Sequence, residues 1–314
     1  MNGKRVLITG VTGFIGGHLV AFLNCYYPSC KITGIARKKI NDSYSYDFHA
    51  MNLLHQHELT ELIEQVRPDY VFHLAGLVFS YDWDALYQSN VMSTLNLLAA
   101  IKKSKANSRV VIAGSSAEYG VISRKDLPVT ENHPAMPHSP YGMTKLWQTM
   151  IAGFDVASTP SVNTARIFNV IGCGTSQQLS TGNLFSQLNR IMQGKQAPKI
   201  LVGNLHLKRD FLDIEDVCSG LVSIALKGKG RDVYNICSGR SVSLNNILTL
   251  SLSAMKLRSL DIIVDTNVMQ NTYIEDIYGC NAKIKRDTDW KPFVSLDESI
   301  KRALSFSFIS AEMV

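Results

Sequence analysis

The chain has 314 residues, 46% of them hydrophobic and 18% charged, the composition of a globular protein long enough for a large core and a smaller lobe. Its net charge of +6 comes from short groups such as "ARKK", "KKSKANSR" and "KIKR", which argues against nucleic-acid binding and reads first as solvated surface, and second as a mild field favouring small anionic ligands. No run of about 18 apolar residues and no apolar leader with a cleavage site is seen, and the six cysteines lack metal-ligand spacing, so a cytoplasmic protein with reduced thiols, no membrane span and no metal is expected.

Apolar runs and amphipathic stretches alternate through the first half. "RVLITG" predicts a strand, "FIGGHLVAFLNCYY" a helix closed by Pro28, and "KITGIAR" a second strand. In "LTELIEQV", Leu59, Leu62, Ile63 and Val66 fall at i, i+3, i+4 and i+7, the stripe of an amphipathic helix. "DYVFHLAG", "SRVVIAGSS" and "TARIFNVIG" predict further buried strands, separated by helices over about 85–105 and 141–157. This alternation predicts an α/β fold, a Rossmann-type doubly wound parallel sheet with helices on both faces.

Past residue 172 the rhythm loosens. "NLFSQLNRIMQGK" and "LNNILTLSLSAM" predict helices, and "KILVGN", "RDVYNICSG" and "DIIVD" short strands. "SLDESIKRAL" opens with Ser295-x-x-Glu298, the pattern of a capping box. The expected division is a dinucleotide-binding domain over 1–172 with a return segment at about 205–240, and a mixed α/β substrate-binding lobe from 173–204 and 241–314.

"TGVTGFIGGH" sets Gly10, Gly13 and Gly16 between the first strand and the first helix. Glycines let backbone approach a pyrophosphate, and the helix N-terminus offers unpaired N–H groups and a positive dipole end. The second strand ends in "IAR". An acidic residue there would suit the ribose 2′-hydroxyl of NAD, whereas Arg37, with Lys38 beside it, suits the 2′-phosphate of NADP(H) over NAD(H).

Two further stretches bear on chemistry. "GSSAEYG" follows the strand "RVVIAG", which puts Ser115 and Ser116 at the sheet edge where open α/β folds bind ligands. "SPYGMTK" opens a helix with Tyr141 and Lys145 four apart on one face. A hydroxyl, a phenol and an ammonium then converge behind a glycine loop. A nearby ammonium is expected to lower the phenol pKa and fit Tyr141 for acid–base work.

With "TGVTGFIG", "HLAG", "GSSAEYG", "YGMTK", "ARIFNVIG" and "VGNLHLKRDFLDIEDV", nearly the whole chain resembles the extended short-chain dehydrogenase/reductase superfamily, in its nucleotide-sugar branch. The set "GSSAEYG…SPYGMTK…VGNL…RDF" is most similar to the reductases that turn GDP-4-keto-6-deoxymannose into GDP-rhamnose, and next to the GDP-mannose 4,6-dehydratases. The resemblance implies Ser116, Tyr141 and Lys145 as the catalytic triad, with Glu118 a candidate fourth member. It implies a cofactor site of Gly10, Thr12, Gly13, Phe14, Ile15, Gly16, Arg37, Asn52, Leu53, Leu74 and Ala75, together with Tyr141 and Lys145. It implies contact with a nucleotide-diphosphate sugar through Ser116, Glu118, Asn169 and Arg209. His73 is expected as a satisfied core residue and Asn90 as a support for the active-site helix. A homodimer through the 85–105 and 141–157 helices is also implied, with Trp147, Met150 and Phe154 at its face.

The reaction expected is NADPH-dependent reduction of a 4-keto-6-deoxy sugar on GDP, dTDP or CDP, with Tyr141 as general acid. The alternative is a 4,6-dehydratase or 4-epimerase with tightly bound NAD(P). Three departures bear on that choice. "AMNLLH" offers Asn52-Leu53 where an Asp-Leu pair usually contacts adenine, and "NVMQNTYIED" lacks the "RPS"-type arginine of the GDP-rhamnose-forming reductases. Glu118 stands two residues after Ser116, where dehydratases of the branch carry their C5 base, although the reductases carry glutamate there too. Against the dehydratase pattern "TSELYG", a residue between Glu118 and Tyr119 reads as missing, which favours the reductase.

Overall fold

A computed structural model of the chain describes all residues except 41–43, 155–160, 258–259, 266–273 and 306–314. Strands β1 (Arg5–Thr9), β2 (Lys31–Ala36), β3 (Asp47–Ala50), β4 (Tyr70–His73), β5 (Arg109–Ser115) and β6 (Val162–Ile167) lie in one sheet. Short strands β7 (Asn169–Ile171), β8 (Lys199–Val202), β9 (Lys208–Arg209) and β10 (Phe211–Asp213) follow, and then β11 (Val233–Ile236) rejoins that sheet. The seven strands run parallel in the order β11-β6-β5-β4-β1-β2-β3, a Rossmann-type arrangement whose topological switch falls between β1 and β4.

Both faces of the sheet are covered, which is why its strands are apolar runs without a polar face. Side chains still alternate with the pleat. Val6, Ile8 and Val111 enter one core beneath α1 (Phe14–Tyr26). Leu7, Val110 and Ile112 enter the other, beneath α2 (Gln56–Val66), where Leu59, Leu62 and Ile63 of the expected stripe are buried. The helical region after β4 comprises α3 (Trp83–Leu86), a π-helical turn (Tyr87–Met92) and α4 (Ser93–Lys103). Helix α5 (Pro140–Gly153) starts at Ser139, whose hydroxyl accepts the Gly142 N–H, with Pro140 in the first turn. The remainder of the stretch expected to be helical, 155–157, lies outside the described residues.

A separate core joins α6 (Ser180–Met192), β8, and α8 (Leu244–Met255) through Leu184, Leu188, Ile200 and Ile247. Helix α7 (Ile214–Lys227) packs instead against α1, on the main sheet. β12 (Val242–Ser243) and β14 (Asp276–Ile277) flank β9, and β13 (Asp261–Val264) pairs with β8. Helices α9 (Ala282–Thr288) and α10 (Leu296–Ser305) complete the described chain.

Three expectations change. "TARIFNVIG" is two strands rather than one: after Phe168 the chain leaves the sheet as β7 and pairs with β10. Residues 282–290 fall within the span expected for the second lobe, yet Ile284 and Trp290 are buried in the main core with α7. Of the capping box, only the Ser295 arm forms, accepting the Glu298 N–H; the Glu298 carboxylate turns to Arg302 at 2.9 Å.

Candidate active site

The glycine loop sits at the switch point and is shaped by contact. Gly10 has φ +70°, and a Cβ there would lie 2.7 Å from the Ala75 nitrogen, so the end of β1 meets the end of β4 with no room for a methyl group. A Cβ on Gly16 would lie within the same loop, at the Gly10 carbonyl, so α1 is drawn tightly onto the turn. Gly13 is the N-cap of α1 and supplies no capping side chain, leaving the first-turn N–H groups, with Thr12, Phe14 and Ile15 around them, as the anion-facing end of the helix. Leu74 and Ala75 continue β4 at this mouth; their N–H groups donate to the Thr9 carbonyl (3.2 Å) and the Thr9 hydroxyl (3.3 Å).

Other expected cofactor residues are placed less uniformly. Arg37 is exposed just beyond β2, at the same edge. Asn52 is exposed, and its side-chain oxygen accepts the Leu54 N–H at 3.1 Å, leaving its amide NH2 toward solvent. Leu53 is a core residue: its side chain packs with α2 and α4, and its carbonyl accepts from Asn96 at 3.0 Å.

Tyr141 and Lys145 do share a face of α5, with the ammonium 5.9 Å from the phenol ring centre. Lys145 is buried and donates to the Ala113 carbonyl and the Gln148 side-chain oxygen, each at 2.7 Å. Withdrawal from water pulls its pKa down to about 8, with Glu118 acting the other way. The phenol differs from expectation. Burial pushes Tyr141 up to about 12 rather than down, with the Glu118 charge acting the same way and the Ser115 side chain pulling against it. A phenol in that range carries its proton at neutral pH, as an acid must.

The serine is also corrected. The serine whose side chain acts on the Tyr141 phenol, pulling its pKa down, is Ser115 and not Ser116. Ser115 closes β5 and caps the 3-10 turn Ser116–Glu118, accepting the Ala117 N–H at 3.1 Å.

Glu118 is removed from the reaction face altogether. It is 0% exposed, and its carboxylate accepts from the Ser115 N–H, the Thr149 hydroxyl and the Arg166 guanidinium, all at 2.8 Å. Gly114 makes room for it, since a Cβ there would sit 2.6 Å from the carboxylate oxygen. Arg166 in turn lies 4.5 Å over the ring of Tyr119, whose hydroxyl donates to Asn235 at 2.7 Å. Glu118 therefore anchors the turn that presents Ser115.

Asn169, at the start of β7, donates through both its backbone and side chain to the Asp210 carbonyl, at 3.1 and 3.2 Å. Arg209, expected on the nucleotide-diphosphate sugar, donates to backbone carbonyls of Lys208, Ile274 and Glu275, and so pins the chain leading into β14. The stretch that lacks the expected arginine, 267–276, lies mostly outside the described residues. Asp210 gathers the Ser238, Gly239 and Gly279 N–H groups and the Ser238 hydroxyl, and burial raises its pKa to about 6.

His73 is a satisfied core residue, bonded to Thr9 (2.7 Å) and Thr94 (3.0 Å). Asn90 ties the π-helical turn to α5: its side chain accepts the Leu77 N–H and donates to the Thr144 hydroxyl at 2.9 Å. Sequence reasoning missed Gln148, Thr94 and Arg166. The i, i+3 spacing of Lys145 and Gln148 on one helix was the one local signal for them.

The model of the GDP-mannose 4,6 dehydratase family matches residues 7–303. The chain belongs to that family. GDP-6-deoxy-D-mannose reductase of Pseudomonas aeruginosa is 29% identical over 307 residues, 96% of each chain. UDP-glucose 4-epimerase 2 of Oryza sativa is 26% identical, over 94% of this chain and 79% of its own. Among solved structures, RMD from Pseudomonas aeruginosa complexed with NADPH superposes with a TM-score of 0.85 at 29% identity, covering 96% of this chain and 98% of that one. In this family member Lys145 reaches from α5 to the Ala113 carbonyl of β5 and lies near Gly76 at the end of β4, with Tyr141 on the same helix face. Among the described residues no helix is long and apolar enough to cross a membrane, and no cluster of His, Cys, Asp and Glu is arranged for a metal.

Proposed function

We propose that this chain is an NADP(H)-dependent reductase of the 4-keto group of a nucleotide-diphosphate 4-keto-6-deoxy sugar, with GDP as the nucleotide. The observation that carries the reading is the register of the turn after β5. With Ser115 as the serine facing the phenol, "SSAEYG" and the dehydratase pattern "TSELYG" have equal length. Ser115 then falls under the threonine, Ala117 under the glutamate base and Glu118 under the buried leucine. No residue is missing, and the position of the dehydratase base holds a methyl group. Ala117 cannot take a C5 proton, so the turn supports proton donation to a carbonyl and not elimination.

In that reaction the bound nicotinamide supplies the hydride. Tyr141 protonates the developing alkoxide, and Ser115 hydrogen-bonds the same oxygen and orients it. Lys145 keeps one of its three N–H donors for the nicotinamide ribose and lends its charge to the developing phenolate. The open first turn of α1 would hold the pyrophosphate, and Arg37 with Lys38 would hold the 2′-phosphate. Asn169 and Arg209 border the sugar nucleotide from the short strands β7 and β9.

The purified chain, mixed with NADPH and a GDP-linked 4-keto-6-deoxy sugar, should consume one NADPH per sugar reduced. Conversion of a sugar nucleotide that lacks a keto group, with no net change in cofactor, would overturn the reading. The same protein is proposed to act as a cytosolic homodimer. An apolar groove of about 490 Å³ between α4 and α5, lined by Leu95, Leu98, Ala99 and Ile151, lies on the two helices expected to pair. Exposed Trp147, Met150 and Phe154 extend that surface, and light scattering should report twice the chain mass.

A further inference from the structure

We propose that Gln148 is the positioning residue for Lys145, the last link of a buried hydrogen-bond brace that runs from the glycine-loop strand to the ammonium. The inference deepens the reductase reading and rests on it for its kinetic consequence, but not for its geometry.

The brace permits one arrangement of protons. An ammonium only donates, so the Gln148 oxygen faces Lys145 (2.7 Å) and its NH2 faces Thr94, where it donates to the hydroxyl at 2.6 Å. The Thr94 hydroxyl donates to the Asn90 carbonyl at 2.6 Å. It must therefore accept from His73, which places the His73 proton on Nε2. Nδ1 of His73 is then an acceptor, filled by the Thr9 hydroxyl, which in turn accepts the Ala75 N–H. Burial and the charge of Lys145 hold His73 at about 3, so it stays neutral and this order persists across working pH. Every link is a buried or part-buried polar group with a partner, which makes the brace rigid.

The consequence is mechanical and electrostatic. Thr9 precedes Gly10 of the loop, and Gly76 follows Ala75, with the ammonium 3.5 Å from where a Gly76 Cβ would stand. Lys145 is thus fixed relative to β1 and β4, the strands whose ends frame the cleft, and not merely to its own helix. A neutral amide serves this purpose better than a carboxylate, because it orients the ammonium without cancelling its charge. The charged or titratable groups facing Lys145 are His73 on β4, Glu118 on the turn after β5 with its partner Arg166 on β6, and Tyr141 on α5 itself. None of these groups is itself a hydrogen-bond partner of Gln148, which bonds to Lys145 and Thr94.

The test is a titration of Lys145, followed by NMR of 13C-labelled lysines in the full-length chain, in the wild type, Gln148→Leu and Gln148→Glu; Lys145→Arg assigns the signal. Loss of the acceptor in Gln148→Leu should lower the Lys145 pKa, and the carboxylate of Gln148→Glu should raise it, each by on the order of one pH unit. The alkaline limb of kcat/KM for NADPH oxidation should move the same way, to lower pH in the first and higher pH in the second. Gln148→Glu preserves shape, so it reports even where Gln148→Leu fails to fold. A Lys145 titration unchanged in Gln148→Glu, or shifted in the same direction by both substitutions, overturns the inference. Opposite shifts in a chain that oxidises no NADPH with any 4-keto sugar nucleotide would sustain it and sink the reductase reading instead.

Discussion

Two buried cations stand on either side of the turn after β5, and they are held in opposite ways. Arg166 meets a carboxylate, Glu118, at 2.8 Å, while Lys145 meets only an amide oxygen and a carbonyl. The first arrangement cancels charge and leaves a structural anchor. The second leaves a positive charge uncancelled in a low dielectric, where it acts strongly on whatever develops negative charge nearby. The comparison separates support from the chemistry proposed above: the pair with opposite charges holds the turn, and the cation with neutral partners keeps its charge for the proposed reaction.

The largest effect that would break this division is on the phenol. Tyr141→Phe should retain NADPH binding and lose roughly 10²- to 10⁴-fold in turnover, measured by cofactor fluorescence and steady-state rates; full activity would return the acid to another group. Arg166→Met should leave Glu118 buried without its partner and destabilise the fold by roughly 3–5 kcal/mol, read from urea unfolding. Adding Glu118→Gln to it should recover much of that loss. Glu118→Gln alone should keep turnover within a few-fold, and a loss like that of Tyr141→Phe would restore Glu118 to the mechanism.

Ser115→Ala sharpens the contrast within the turn. It should lower kcat by roughly 10²-fold, as removal of an oxyanion donor does, and Ser116→Ala should cost less; the reverse order would reinstate Ser116. The smallest effect is on stability. The folded pKa of Lys145, about 8, lies below its ordinary value of 10.5, so between those pH values the unfolded chain holds a proton that the folded chain has lost. Stability then rises with pH across that window. The wild type should gain roughly 1–3 kcal/mol on Lys145→Met between pH 8 and 10.5, and parallel curves for the two proteins would refute the buried charge.

How far each part was legible in the chain follows from the range of the interactions that specify it. The parallel sheet was readable because burial of both faces writes each strand as an apolar run, and "LTELIEQV" carries its buried stripe locally. The break at Phe168 was not, since the run stays apolar while its hydrogen bonds change partner from β11 to β10. Ser115 is the last residue of β5 and Ser116 the first of the 3-10 turn, and where the strand gives way to the turn is set by contacts that neighbouring residues do not announce. Glu118 reads as a base until Arg166 is known to lie against it, and nothing near either residue in sequence announces the pair. The Lys145 brace likewise draws Thr9, His73, Thr94 and Gln148 from four separate elements. Short-range pattern gave the scaffold; the assignment of roles required contacts across it.

The late arrival of β11 has a consequence for biosynthesis. Until residues 233–236 leave the ribosome, β6 presents an unpaired edge, and until 284–290 follow, the α7 side of the sheet lacks Ile284 and Trp290. A nascent chain halted at residue 172 would therefore expose a sticky ribbon of backbone donors and acceptors. Chaperone occupancy during translation should persist well past the point at which Ser115, Tyr141 and Lys145 have all been synthesised.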